Sequence, residues 1–259
     1  MDEALKSVLE WWDAAGVDVP TIPSGAAPGK ISKSVRQQTK PTTKPDIIAP
    51  TGSGQNPSKD TRPDAAPIAK AAQTLAELKS AMEKFDAGPL SDRARQCVFA
   101  RGNPEADLMI IGEAPGRDED IAGKPFVGRA GQLLDKMMAA IELTEEQFYI
   151  TNVVNWRPPQ NRNPKPGEIE ICRPFLNRHI ELVSPKYILI VGGVSLTALT
   201  GLTGIMKNRG QWQTLSIAGQ DIPALPIYHP AFLLRQPALK KEAWRDLLDL
   251  RQKLKQTPS

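Results

Sequence analysis

The chain has 259 residues, of which 40% are hydrophobic, and this is enough for one sizeable folded domain with additional segments. Its formal net charge is +4, but residues 20–67 hold seven Lys or Arg and three Asp, so this segment accounts for the whole surplus. Bulk charge therefore does not identify the remaining residues as a nucleic-acid-binding domain. Two cysteines exclude a disulfide framework.

Two segments precede the predicted folded domain. Residues 1–19 are predicted to form a short amphipathic helix, which either docks on the chain's own body or binds a protein partner, because apolar residues recur there at near-helical spacing: Leu5, Val8, Leu9, Trp11, Trp12 and Ala15. Residues 20–67 contain nine of the 24 prolines and no Leu, Met or aromatic residue, which predicts a flexible basic linker. No signal-peptide pattern is present at the start of the chain, so we expect a cytoplasmic protein.

Residues 68–259 alternate predicted strands with predicted helices. The strands are expected at 108–112, 148–154, 187–191 and 224–228, and the helices at 130–141, 167–182, 194–200 and 239–254. This alternation predicts an α/β fold, a three-layer α/β/α domain around a central, mainly parallel four-stranded sheet.

The uncharged run from Tyr187 to Met206 is formally long enough to cross a bilayer. It contains four glycines and four Ser or Thr residues, and these divide it into a buried strand, a glycine turn and a helix. We therefore expect no association with a membrane.

Three short motifs follow predicted strands. Gly112-Glu113-Ala114-Pro115-Gly116 comes after the first strand, Asn152 lies in the second, and His229-Pro230-Ala231 comes after the last. Loops at the carboxyl ends of parallel strands are where open α/β sheets bind ligands. A carboxylate, an amide and an imidazole are therefore expected in one crevice.

Further motifs in the same order extend this pattern: residues 123–134 (GKPFVGRAGQLL), Arg157-Pro158-Pro159 with Asn161-Arg162, Arg209-Gly210, and residues 229–235 (HPAFLLR). Over residues 70 to 255 the chain thus resembles the uracil-DNA glycosylase superfamily, specifically its family-4, iron-sulfur type branch. The resemblance implies a monofunctional, monomeric hydrolase that removes uracil from single- or double-stranded DNA, leaving an abasic site for base-excision repair.

A non-catalytic protein that binds uracil-containing or abasic DNA is the alternative, although the chain retains Asn152, His229 and Glu113 together. A nucleotide-processing enzyme is a third interpretation. It is disfavoured because the sequence has no P-loop or Gly-x-Gly-x-x-Gly segment to bind a nucleotide's phosphates.

The resemblance assigns the base pocket. Phe126 is expected to stack on the flipped uracil, whereas its spacing alone would favour a core residue. Asn152 is expected to accept a hydrogen bond from uracil N3–H and donate one to O4, a polarity that cytosine reverses; the alternative is an Asn that satisfies a turn. Gly112 and Ala114 complete the pocket. Glu119 either crowds the methyl group of thymine or belongs to a solvated acidic turn.

His229 is expected to be the catalytic residue that donates a hydrogen bond from a neutral imidazole to uracil O2, where charge collects as the glycosidic bond breaks. Glu113 resembles the carboxylate of the family's first motif and is expected to hold a water molecule. The best-known branch of the superfamily has its water-activating acid one place later, where this chain has Ala114. The other histidine, His179, is expected on the surface or in helix packing.

The DNA backbone is expected to contact Arg129 together with the amides of the helix start as far as Gly131, a typical anion site. Arg157, Arg162 and Arg235 are further candidates for phosphate contacts. Leu233, the fourth residue after His229, matches the family's apolar wedge, which fills the space left by the flipped base.

The chain departs from family 4 at the cysteines that hold a four-iron four-sulfur cluster. By alignment the four ligand positions hold Phe85, Gly88, Trp156 and Cys172, so only Cys172 is retained. Thiolates hold such clusters. We therefore expect no cluster and no metal, with Phe85 and Trp156 filling the space by apolar packing.

Overall fold

The computed structural model describes residues 64–256. The predicted N-terminal helix at 1–19 and the linker as far as residue 63 lie outside the described residues. Helix α1 (Ala65–Ala71) begins after Asp64, whose side chain accepts a hydrogen bond from the Ala66 amide. Helix α2 (Leu75–Lys84) follows, and Thr74 caps its start in the same manner. Helix α1 thus includes the last three residues that the sequence assigned to the linker.

A single six-stranded sheet forms the centre of the described region, in the order β1-β3-β2-β4-β6-β5. The strands are β1 (Arg101–Gly102), β2 (Leu108–Gly112), β3 (Phe148–Asn152), β4 (Tyr187–Val191), β5 (Gln213–Ile217) and β6 (Gln220–Ile227). Strands β3, β2, β4 and β6 are parallel, which confirms the predicted parallel centre. The predicted count of four strands is corrected to six, because β1 and β5 add antiparallel edges.

Helices cover both faces of this sheet. They are α3 (Arg117–Ala122), α4 (Arg129–Ala140), α5 (Pro166–Val183), α6 (Gly193–Thr200), α7 (Ile205–Asn208), α8 (Pro230–Arg235) and α9 (Lys240–Lys255). Alternate residues of β2 point to opposite faces. Met109 and Ile111 join a buried cluster with α1, α2 and α5, whereas Leu108 and Ile110 join a second cluster with α4 and α9. The fold is therefore the predicted three-layer α/β/α arrangement.

The uncharged run from Tyr187 is divided as the sequence predicted. Strand β4 is buried along its length, Gly192 turns with a φ of 101°, and α6 follows. No helix within residues 64–256 is both long enough and apolar enough to span a bilayer.

Candidate active site

The four parallel strands end at the same edge of the sheet and bring the three motifs together. Gly112 at the end of β2 lies beside Asn152 at the end of β3. Val191 at the end of β4 lies beside Ile227, and His229 follows two residues later. The first motif, the amide and the imidazole therefore meet at one edge, as their positions after strands predicted.

A pocket of about 240 Å³ opens at this edge. It combines Glu113, Ala114, Glu119, Phe126, Asn152 and His229 from the predicted site with residues that the sequence did not assign to the base pocket: Pro115, Gly116, Ala130, Asn161, Arg162, Asn163, Pro164 and Ala231. The loop from Asn161 to Pro164 follows β3 at some distance along the chain. In the sequence, only the Asn161-Arg162 motif indicated that this loop contributes to the pocket.

The Asn152 side chain is buried, with 2% of its surface exposed, and it lines the pocket. Its carboxamide makes no hydrogen bond within residues 64–256, and its amide atoms are not among the fully buried atoms that lack a partner. The amide and the Phe126 ring both lie against Gly112, since a Cβ on Gly112 would overlap the ring and Asn152 Oδ1. Gly112 thus permits the close approach of the ring and the amide. The amide is available to a ligand.

His229 presents one defined ring nitrogen to the pocket. Its Nδ1 accepts a hydrogen bond from the Ala231 amide at 3.1 Å, so in the neutral imidazole the proton is on Nε2. Burial, together with the nearby charge of Arg235, lowers the pKa of His229 to about 4. The side chain is therefore a neutral donor at pH 7. Its ring stacks near Phe126, with 5.8 Å between centroids and 27° between planes.

Phe126 has a φ of 54°, an unusual value for an aromatic residue. The start of α4 packs against its backbone, because a Cβ on Gly131 would overlap the Phe126 carbonyl group. Gly131 is buried in this contact. The prediction that Gly131 contacts DNA is corrected: its lack of a side chain lets α4 support the Phe126 loop.

Glu119 binds this same loop to the first motif. Its carboxylate accepts hydrogen bonds from the amides of Gly116 at 3.0 Å, Val127 at 3.1 Å and Gly128 at 2.8 Å. The interpretation of Glu119 as part of a solvated turn is therefore wrong. Of the amides from Gly128 to Gly131 that were predicted to bind an anion, the Gly128 amide is already occupied by Glu119.

Glu113 lies between the first motif and α6. Its Oε1 accepts a hydrogen bond from the Val194 amide at 3.3 Å, and a Cβ on Gly192 would overlap the same oxygen. Burial raises the pKa of Glu113 above its usual value, against the opposing effects of the Val194 and Gly193 amides and of Arg235. The carboxyl group thus lines the pocket in a partly desolvated position.

Two of the predicted phosphate-binding arginines are engaged inside the protein. Arg157 donates to Asn161 Oδ1 at 2.6 Å and lies 3.8 Å from the buried Asp120 carboxylate. Arg162 forms a fork with both oxygens of Glu168, at 2.7 and 2.5 Å. Their charges are therefore largely compensated, although Arg162 lines the pocket.

The wedge assignment is wrong for Leu233. This side chain has 0% exposure and packs in the core cluster beneath α4 and α9, so it cannot enter DNA without leaving the core. Its neighbour Leu234 is 36% exposed. The helical period of α8 explains the difference, since adjacent residues on a helix face different directions.

The former cluster-ligand positions lie in an apolar core. Phe85 contacts Phe175 edge to face at 4.9 Å and lies 6.4 Å from Trp156, and all three belong to the buried cluster that contains Cys172. Burial raises the pKa of the Cys172 thiol to about 12, which disfavours a thiolate ligand. Across residues 64–256, no three His, Cys, Asp or Glu side chains are grouped to hold a metal ion. These residues do not fit a four-iron cluster.

A family model described as the uracil DNA glycosylase superfamily matches residues 99–248. A type-4 uracil-DNA glycosylase from Archaeoglobus fulgidus is 42% identical over 146 residues, which cover 54% of this chain and 73% of the relative. The type-4 uracil-DNA glycosylase of Saccharolobus solfataricus is 41% identical over 63% of this chain and 79% of its own length. That of Pyrobaculum aerophilum is 38% identical, with coverage of 67% and 91% respectively.

Proposed function

Since this chain belongs to the uracil-DNA glycosylase superfamily and to its type-4 branch, we propose that it removes uracil from DNA by hydrolysing the N-glycosidic bond of deoxyuridine. The product is an abasic site, at which base-excision repair begins. One observation carries the proposal: Asn152, whose amide makes no hydrogen bond within residues 64–256, and His229, whose Nε2 carries the proton, line the same pocket.

Asn152 selects the base. With Oδ1 accepting from uracil N3–H and Nδ2 donating to O4, the amide satisfies both groups at once. Cytosine presents the opposite polarity at these two positions. Each buried group left unpaired by cytosine costs about 1–3 kcal/mol, which disfavours its entry into the pocket. The Phe126 ring supplies a flat apolar surface for either pyrimidine, so stacking does not discriminate between them.

His229 stabilises the departing base. As the glycosidic bond breaks, negative charge collects on uracil O2, and the neutral imidazole donates the Nε2 proton in a hydrogen bond to that oxygen. The donor is preorganised, because the Ala231 amide fixes the tautomer and the Phe126 ring lies near the imidazole. A donor of this kind contributes about 100 to 1000-fold to the rate.

Water attacks the sugar from a position held by Glu113. An oxocarbenium-like sugar needs only a weak, well-placed nucleophile, so a strong base at the Ala114 position is dispensable. Burial raises the pKa of Glu113, and the Val194 amide fixes one of its oxygens. Its role is therefore to orient the water molecule.

We also propose that the protein works without an iron-sulfur cluster. Phe85 and Trp156 pack where cysteine ligands would stand, and Cys172 is the single retained position. Iron analysis and a visible absorption spectrum of anaerobically purified protein test this proposal. We expect neither iron nor visible absorption, and about four irons per chain would contradict it.

The function is tested on matched oligonucleotides that carry one uracil, cytosine or thymine, in single- and double-stranded form, followed by alkali to cleave abasic sites. We expect cleavage at uracil by the wild type and little by His229→Ala, with Asn177→Ala as a control on the exposed side of α5. Tight binding of uracil-containing DNA by the wild type without product would instead identify a non-catalytic binding protein.

A further inference from the structure

The cations around the pocket fall into two groups. On the side of the Asn161 loop, Arg157 and Arg162 bind side chains of the protein itself. On the other side, Arg129 and Lys136 of α4 and Arg235 of α8 are exposed and have no ion-pair partner within residues 64–256. Positive charge without an ion-pair partner in the described part of the chain therefore borders the pocket on the side of α4 and α8.

These cations border a second, smaller cleft between α4 and α8. It has a volume of about 140 Å³ and is lined by Arg129, Gln132, Leu133, Lys136 and Leu234. The same two helices also line the uracil pocket, through Ala130 of α4 and Ala231 of α8. The cleft thus lies beside the pocket on the same two helices, with Arg129 at the start of α4 and Lys136 two turns further along.

The surroundings of Lys136 leave its charge unneutralised. The adjacent carboxylate, Asp135, binds Arg101 at 2.5 Å instead. The positive charge of Lys136 is therefore available to an anion.

Arg129 and Lys136 stand in line along one face of α4. Arg129, Gln132, Leu133 and Lys136 share one face of the helix, since residues three, four and seven apart lie above one another. From Arg129 to Lys136 the helix rises about 10 Å. The two cations can therefore contact different phosphates of one strand.

We propose that the α4–α8 cleft is a second DNA subsite, in which Lys136 binds a phosphate of the same strand beyond the one at Arg129. Leu234 supplies the apolar wall against which a deoxyribose packs. The inference rests on the proposed function and adds a direction to it: the strand that flanks the uracil runs along α4, away from the Asn161 loop.

Lys136→Gln is the sharpest probe of this subsite. Arg129 is less clean, because it begins α4 directly after Gly128, whose amide binds Glu119 beside the pocket. The matched control is Lys253→Gln, which removes the same charge from the far end of α9, about 20 Å along the helix from Lys240. Both exposed lysines lack an ion pair within the described range.

The experiment measures the dissociation constant of each full-length variant, in a His229→Ala background, for a fluorescent single strand with a central uracil at several salt concentrations. We expect Lys136→Gln to weaken binding several-fold at low salt and to reduce the slope of log affinity against log salt by about 0.7, the value for one lost phosphate contact. With His229 intact, KM should rise while kcat is unchanged. Lys253→Gln should alter none of these quantities.

Moving the uracil to one end of the oligonucleotide gives an independent readout. When the uracil stands at one of the two ends, no flanking nucleotides extend along α4 to Lys136. On that substrate the dissociation constant of Lys136→Gln should equal that of the wild type. If Lys136→Gln behaves as Lys253→Gln does on every substrate while the wild type excises uracil, the subsite is refuted and the proposed function stands. If the wild type forms no abasic sites, the proposed function itself fails.

Discussion

At the scale of single residues, the pocket depends on the absence of a side chain at Gly112. A Cβ there would overlap the Phe126 ring and Asn152 Oδ1, so Gly112→Ala must displace one of them. We expect kcat/KM for uracil excision to fall at least about 10-fold, because groups misplaced by about 1 Å lose much of their catalytic effect. Gly167→Ala is the control, since no atom lies within 4 Å of its new Cβ. Equal activity of the two variants would contradict this account.

The protonation state of His229 gives a second expectation at this scale. Its pKa of about 4 in the folded protein means that the imidazole remains the neutral donor throughout the range in which a free histidine, with a pKa near 6.5, becomes charged. The pH profile of kcat should therefore show no loss of activity centred near pH 6.5, and the acid limb should lie closer to pH 4. A limb near 6.5 that disappears in His229→Gln would contradict the assignment.

The sequence predicted which residue types meet in the pocket but not all of their contacts. Gly112, Asn152 and His229 lie at strand ends, and strand ends can be recognised from apolar runs. The burial of Leu233 could not be recognised in this way, because the short helix α8 and its rotation depend on packing against α4. The engagement of Arg157 and Arg162 likewise depends on acidic partners that the fold supplies.

At the scale of elements, Glu119 joins α3 to the loop that carries Phe126. Removing a carboxylate that accepts three backbone hydrogen bonds leaves several amides unpaired. We expect Glu119→Ala to lower the free energy of unfolding by about 1.5–3 kcal/mol and to reduce activity, and Glu119→Gln to have a smaller effect because its amide oxygen still accepts.

Urea denaturation of these variants measures the effect of this element, with the exposed Glu105→Ala as control. If Glu119→Ala is as stable and as active as Glu105→Ala, the carboxylate does not hold the loop.

Buried strands were the elements most accurately predicted. Strands β2 and β4 have the expected bounds, because their continuous apolar runs are typical of a parallel sheet covered on both faces. Strand β5 was missed. It is an edge strand whose central residue alone is buried, and it joins β6 through Ala218 and Gly219, both with positive φ. Hairpin turns of this kind are usually signalled by Asn-Gly or Asp-Gly, which this chain lacks here.

At the scale of the whole molecule, buried histidines link stability to pH. His179 contacts Tyr149 at 3.0 Å and stacks on Phe99, and burial lowers its pKa to about 3. Below about pH 6.5 the unfolded chain binds a proton on His179, whereas the folded chain binds it only near pH 3. The stability that this group contributes is thus fully present above pH 6.5 and is lost as pH falls towards 3.

Replacement of this histidine isolates the effect. His179→Gln keeps a hydrogen-bonding side chain without a titrating ring. Between pH 5.5 and 4.5, we expect the free energy of unfolding of the wild type to fall more steeply with decreasing pH than that of His179→Gln. The two slopes should differ by about 1.4 kcal/mol per pH unit, the value for one proton. Parallel slopes in urea denaturation would show that His179 does not bind its proton differently in the two states.

The central claim, that Asn152 and His229 act on one excised uracil, is tested most directly by single-turnover rates of uracil release. On one duplex carrying a single uracil, the wild type, Asn152→Ala, His229→Ala and the double variant are compared at pH 7.5. We expect a loss of about 100 to 1000-fold for His229→Ala, a large loss for Asn152→Ala, and a double variant less impaired than the product of the two losses. Wild-type rates in either single variant would contradict the account.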